Sequence, residues 1–204
     1  DSVVIPVLNG IEHMVFMKNT LGPKVIAGAI RAESFRDDSG RIVHASPFLK
    51  LAIASDSAIP QERLVDLALT LADDHLETSV LASEAEVLWG KLARLSALSL
   101  TLAAAGRPLG DVFADDGWRT KLSAAIGESA AVARHEGVLI DHTSELSLIS
   151  SLPPSFKSSL QRDIEKGDLG ELDAIGGAVV RAGRRYGVAC PTIEGLIKEV
   201  EANV

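Results

Sequence analysis

The chain has 204 residues, 47% hydrophobic and 24% charged, a globular composition with room for one large core or two small ones. Its formal net charge of −8, with no basic cluster interleaved with aromatics, argues against a nucleic-acid backbone as partner. A single cysteine, Cys190, excludes an internal disulfide and suits a reducing, cytoplasmic compartment. The five histidines lie far apart in sequence and form no metal-ligand pair.

The chain opens DSVVIPVLNG, with no initiator Met, as expected of a sequence that begins inside a domain at Asp1. The apolar run is too short, and lacks the basic flank, for a signal peptide. Val3 to Leu8 reads as a buried strand ended by Asn9-Gly10. Ile11 to Leu21 has helical spacing, with Gly22-Pro23 as its stop. Lys24 to Ala32 and Gly40 to Ala45 read as strands around the turn residues Asp37, Asp38, Ser39 and Gly40, and Phe48 to Ala54 as another. A helix starts at Pro60 and runs to about Asp74, and Glu77 to Ala82 is strand-like. Strands alternating with helices predict an α/β layer for residues 1–82.

From Ser83 onward the pattern is helical. Glu86 to Gly110 is one long apolar helix, with Val87, Leu88, Leu92, Leu95, Leu98 and Leu102 at the 3.6-residue period. Lys91, Arg94, Ser96, Ser99 and Thr101 interrupt the run, which predicts a buried helix with Leu95, Leu98 and Leu102 in the core rather than a membrane span. Further helices are predicted for about Asp115 to His135, Ser155 to Ile164, Glu171 to Tyr186, and Pro191 to the C-terminus. Residues 83–204 therefore read as an all-α domain, with the boundary near Ala82.

Lys91 has two readings. Its stem can lie along apolar surface with the ammonium in water. A partly desolvated lysine can also act as a proton donor near neutral pH. Glu171 alone is a carboxylate suited to a helix N-terminus, Ser159 a surface helix serine and Asn9 a turn residue. Arg181, Arg184 and Arg185 read as a solvated helix face, with a 2′-phosphate contact as the alternative.

Three stretches carry a resemblance: VLNGIE at Val7 to Glu12, LWGKLARL at Leu88 to Leu95, and SSLQRDIEKGDLGELDAIGGAVVRAGRRYGVACPT at Ser158 to Thr192. With them the chain resembles the later part of the ketopantoate reductase family, the NADPH-dependent 2-dehydropantoate 2-reductases. The resemblance implies the remnant of a Rossmann-type nucleotide-binding domain followed by an all-α C-terminal domain of the 6-phosphogluconate dehydrogenase type. It implies NADP as cofactor, a small 2-keto acid as substrate, and no nucleic-acid or membrane partner, and it leaves a homodimer open. Lys91 then stands where the family's proton donor stands, and Glu171 where its catalytic-site glutamate stands, near substrate and cofactor. Ser159 matches a substrate-contacting serine, and Asn9 an asparagine at the cofactor–substrate junction. Ser99, two turns after Lys91, is a further substrate-binding candidate.

The sequence departs from the family pattern at Leu95, Ser99 and Leu109, where the family carries asparagines. No G-x-G-x-x-G phosphate cradle occurs in the chain. Two readings follow: most of an NADPH-dependent 2-keto acid reductase, or a non-enzymatic reductase-like protein whose helical domain serves packing or dimerisation.

Overall fold

The computed structural model describes residues 2–37, 39–57 and 59–204. The expectations placed on Asp1 as the start and on Asp38 as a turn residue lie outside the described residues. The chain forms two compact units, Asp1–Leu88 and Trp89–Val204. The division falls later than Ala82 because Val87, in the first turns of the long helix, is buried with Met14, Val25, Ala27, Ala29 and Ala54 of the first unit.

In the first unit, strands β1 (Ala27–Arg31), β4 (Lys50–Ala54) and β5 (Glu77–Val80) form a sheet in the order β1-β4-β5. β1 runs antiparallel to β4, with Ala29 opposite Ala52; β4 runs parallel to β5, with Leu51 opposite Thr78. The parallel pair is connected through α2 (Gln61–Leu71), which Pro60 opens. Strands β2 (Ser34–Arg36) and β3 (Ile42–His44) make a separate hairpin. The sequence reading expects residues 24–32 and 40–45 to flank one turn; instead 42–44 pairs locally with 34–36. The Asp37 carboxylate closes that hairpin by accepting the N–H groups of Ser39 and Arg41, with Gly40 at φ +83°.

The predicted strand at Val3 to Leu8 shrinks to a single parallel bridge between Val4 and Val25. Pro6 has no N–H to donate, so a ladder cannot extend through it. The segment still packs closely: a Cβ on Gly28 would collide with Ile5 and lie 3.1 Å from the Pro6 carbonyl. Helix α1 (His13–Leu21) follows the Asn9-Gly10 turn.

Helix α3 (Glu84–Ala105) is long and apolar enough to cross a membrane by length and composition, but 67% of that window is buried within the protein, as in a core helix. It ends at Gly106, whose φ of +61° favours glycine. In the second unit its Leu92, Ala97, Leu100 and Leu102 are buried. The same core takes Leu122, Ile126 and Val132 of α5 (Asp116–His135), Val179 and Ala182 of α8 (Ala178–Tyr186), and Ile193, Leu196 and Val200 of α9 (Pro191–Glu201). Small side chains keep the helices close, and Ser96 and Ser129 share a buried hydrogen bond of 2.9 Å.

Of the predicted face, Leu98 and Leu102 are buried but Leu95 is only half-buried. Two short helices escape the sequence reading: α4 (Leu109–Ala114) and α6 (His142–Ser150). The helix expected from Ser155 is shorter. Residues 153–156 turn against α4, with Leu109 N–H donating to the Phe156 carbonyl at 3.0 Å and Gly110 N–H to that of Pro154 at 2.8 Å. Only Ser159–Ile164 is helical, as α7. The helix expected over Glu171–Tyr186 begins instead with a π turn, Asp173–Gly177, and becomes α8 at Ala178.

Candidate active site

The candidate residues fall in two groups, which the two units hold separately. In the first unit, Asn9 is half-buried at the end of the extended N-terminal segment, followed by Gly10 at φ +83°. Just beyond, His13 opens α1 with its Nε2 buried and without a hydrogen-bond partner among the described residues, and burial pushes its imidazole below the ordinary histidine range. Sequence reasoning passed over His13 as one of five scattered histidines.

In the second unit, α3 sets the geometry. Lys91, Leu95 and Ser99 follow one another at i, i+4 and i+8, so they lie along one face. Lys91 and Leu95 are half-buried, whereas Ser99 is 1% exposed and its Oγ has no partner among the described residues. Ser99 is thus part of the helical core, because the helix sinks into the bundle past Leu95, and it does not stand beside Lys91 as an open contact. Leu109, at the start of α4, is likewise buried, at 2% exposure.

Arg94, three residues after Lys91, is held side-on by Glu145 of α6, with Nε to Oε2 at 2.5 Å and Nη2 to Oε1 at 3.0 Å. Both side chains are largely buried, so this is a bidentate pair that fixes α6 on α3. The sequence reading missed Glu145. Its one cue was a carboxylate inside an otherwise weakly polar segment after the Asp141 N-cap.

Ser158 and Ser159 separate cleanly. Ser158 is the buried N-cap of α7, its Oγ accepting the Gln161 N–H at 3.1 Å. Ser159 is exposed at the first helical position. Gln161 points its amide inward, with Nε2 donating to the Arg107 carbonyl at 3.3 Å.

Glu171 is exposed in the turn just ahead of the π turn, where its carbonyl accepts the Ile175 N–H at 2.9 Å. The loop before it is built on Asp163. The Asp163 carbonyl accepts from Lys166 and Asp168, and a Cβ on Gly170, at φ +52°, would sit 2.9 Å from its carboxylate. Burial, and then the charges of Asp168 and Glu171, raise the Asp163 carboxyl above the usual range. Lys91, Glu171 and Asn9 all engage polar or charged neighbours, so none of the three is a free side chain. The arginines of α8 are also occupied: Arg181 binds Asp173 at 2.6 Å, Arg184 binds Glu194 at 2.9 Å, and Arg185 lies over the Tyr186 ring, 6.0 Å from its centroid.

The family model described as "Ketopantoate reductase PanE/ApbA C terminal" matches residues 85–203, more than half of the chain. The chain belongs to the ketopantoate reductase family. It is 28% identical over 205 residues to an uncharacterized oxidoreductase, YkpB, of Bacillus subtilis, covering 98% of this chain and 68% of the relative. To a 2-dehydropantoate 2-reductase of Halobacterium salinarum it is 23% identical over 198 residues, covering 96% of this chain and 65% of the relative. The chain thus spans about two thirds of the length of these relatives. A solved D-mandelate dehydrogenase, a complex with NADH and anilino(oxo)acetate, shares the fold with a TM-score of 0.89 at 20% identity, covering 100% of this chain and 68% of that one. The likeness to this solved structure agrees with the expected order of a partial α/β layer followed by a helical domain.

Proposed function

We propose that this chain carries the substrate-side chemistry of an NADPH-dependent reductase that converts a 2-keto acid to the 2-hydroxy acid. The observation that carries the reading is Lys91. It is half-buried on the core helix of the family-matched unit, one turn before Leu95 on the same face.

Two residues, one in each unit, each offer groups suited to such a cofactor. Asn9 offers an amide donor and acceptor beside a glycine turn without a side chain to block approach, and Glu171 offers an exposed carboxylate. The chain contains no glycine-rich strand-to-helix turn for a pyrophosphate, so no role is assigned to it there. When bound, the nicotinamide supplies a hydride.

Negative charge develops on the ketone oxygen as its carbon is reduced. The Lys91 ammonium stabilises that charge and donates a proton to the oxygen, leaving an amine that water reprotonates. Glu171 balances the ammonium and orients substrate, and Ser159 offers a hydroxyl to it. Ser99 stays outside this assignment because it is buried in the core. A homodimer in the cytoplasm completes the proposal, and sedimentation tests the dimer.

The deciding experiment is oxidation of NADPH, with NADH alongside, by the full-length protein and its Lys91→Ala variant over a panel of 2-keto acids. A fall in kcat of about a hundredfold or more, with the melting temperature unchanged, is the expected result. Unchanged turnover in the variant would remove Lys91 from the chemistry, and a wild type that oxidises NADPH with none of the acids would leave the non-enzymatic reading.

A further inference from the structure

Resting on the proposed reductase reading, we infer that Leu95 selects the substrate, and that the side chain of the 2-keto acid beside it is a hydrocarbon rather than a hydroxylated chain. The argument begins with what α3 leaves open. Between Trp89 and Ala103, every apolar side chain except Leu95 is buried: Trp89, Leu92, Ala93, Ala97, Leu98, Leu100, Leu102 and Ala103 are all at or below 6% exposure. Over the same stretch the core also takes Ser96, Ser99 and Thr101.

The half-buried side chains left there are Lys91, Arg94 and Leu95. Arg94 is committed to Glu145 by two hydrogen bonds. A molecule that brings its carbonyl to the Lys91 ammonium therefore meets Leu95 as the next half-buried side chain on that face of the helix. The two stand one turn apart, with Cβ atoms about 5–6 Å from each other, and the Leu95 side chain leans toward the helix N-terminus, over Lys91. One turn further on, the stripe sinks into the core at Ser99.

Leu95 has no hydrogen-bonding atom, and the group that covers it is desolvated. A hydroxyl placed there loses its water and finds no partner, whereas a methyl or methylene loses nothing. The expected selectivity is about tenfold to a few hundredfold, the range over which an apolar pocket discriminates.

The test compares two 2-keto acids that differ by one hydroxyl, 2-keto-3,3-dimethylbutanoate and its 4-hydroxy derivative, on the full-length protein. The wild type is expected to favour the hydrocarbon acid by tenfold or more in kcat/KM. Leu95→Asn is expected to lower that ratio by at least tenfold while Lys91→Ala abolishes turnover of both acids. A wild-type preference for the hydroxylated acid, or a ratio that Leu95→Asn leaves unmoved, overturns the role of Leu95 even if Lys91→Ala is inactive. Turnover that survives Lys91→Ala removes Lys91 as the proton donor, and this inference with it, whereas a wild type that turns over neither acid overturns the reductase reading itself. The wild-type ratio is informative whether or not the Asn variant folds.

Discussion

The carboxylate of Glu128, on α5, caps Ile193 at the start of α9: its Oε2 accepts the Ile193 backbone N–H at 2.9 Å. Its Oε1 accepts the neighbouring Thr192 N–H at 2.8 Å. The first N–H groups of a helix have no partner within it, and here a side chain from another helix satisfies two of them. Glu128→Ala is expected to destabilise the protein by about 1–2 kcal/mol, the usual worth of a cap, and Glu128→Gln by less, since one amide oxygen still accepts. Urea midpoints of the three proteins measure it. Equal midpoints for wild type and Glu128→Ala would show that water replaces the cap without loss.

The same carboxylate bears on Cys190. Burial, followed by the charges of Glu128 and Glu194, pushes the Cys190 thiol up to about 11 from an ordinary 9.0. Between these values the unfolded chain releases the thiol proton while the folded one keeps it. The unfolded state then binds fewer protons, so this group's contribution to stability is intact below about pH 9 and is lost as pH rises toward about 11. At pH 8 the native thiol is expected to react with a disulfide reagent about a hundredfold more slowly than free cysteine. A rate like that of free cysteine would mean that the end of α8 opens readily.

Glu145 offers a third measurement. Removing one partner of a buried pair strands the other charge, so Glu145→Ala is expected to cost about 3–5 kcal/mol. Replacing Arg94 and Glu145 together by Met and Leu is expected to restore most of that loss. A double-mutant cycle by chemical denaturation reads the coupling. If the double variant is as unstable as Glu145→Ala, the pair supplies more than charge neutralisation.

Long periodic elements were legible in the sequence, while short or locally decided ones were not. The apolar stripes of α3, α5 and α9 repeat over enough turns to outweigh local choices, and Gly106 and Gly187 mark two helix ends through positive φ. Helix α4 has six residues and helix α6 nine, so their periods are too brief to stand out. Asp141 was the available sign of α6: it accepts the Ser144 N–H at 2.7 Å. The run at Val3 to Leu8 has strand composition, but Pro6 removes the donor that a ladder needs. In the candidate site, the common face of Lys91 and Leu95 follows from spacing alone. The withdrawal of Ser99 into the core does not, since it depends on which helices cover α3. Glu145 was invisible for the same reason, because its partner lies 51 residues away in sequence.

The π turn at Asp173–Gly177 has a consequence for how this region tolerates length change. An α-helix turns about 100° per residue, and a π turn takes up one residue more than an α turn. Glu171, upstream, and the core stripe of Val179 and Ala182, downstream, are therefore held about 100° out of the phase a continuous α-helix would impose. Loss of a single residue within this turn would restore regular winding, and α8 could keep its packing only by swinging Glu171 around the helix axis. Deletion of Gly177, which is not among the buried residues of the turn, would thus change the direction of a candidate site carboxylate while leaving the composition of the core untouched.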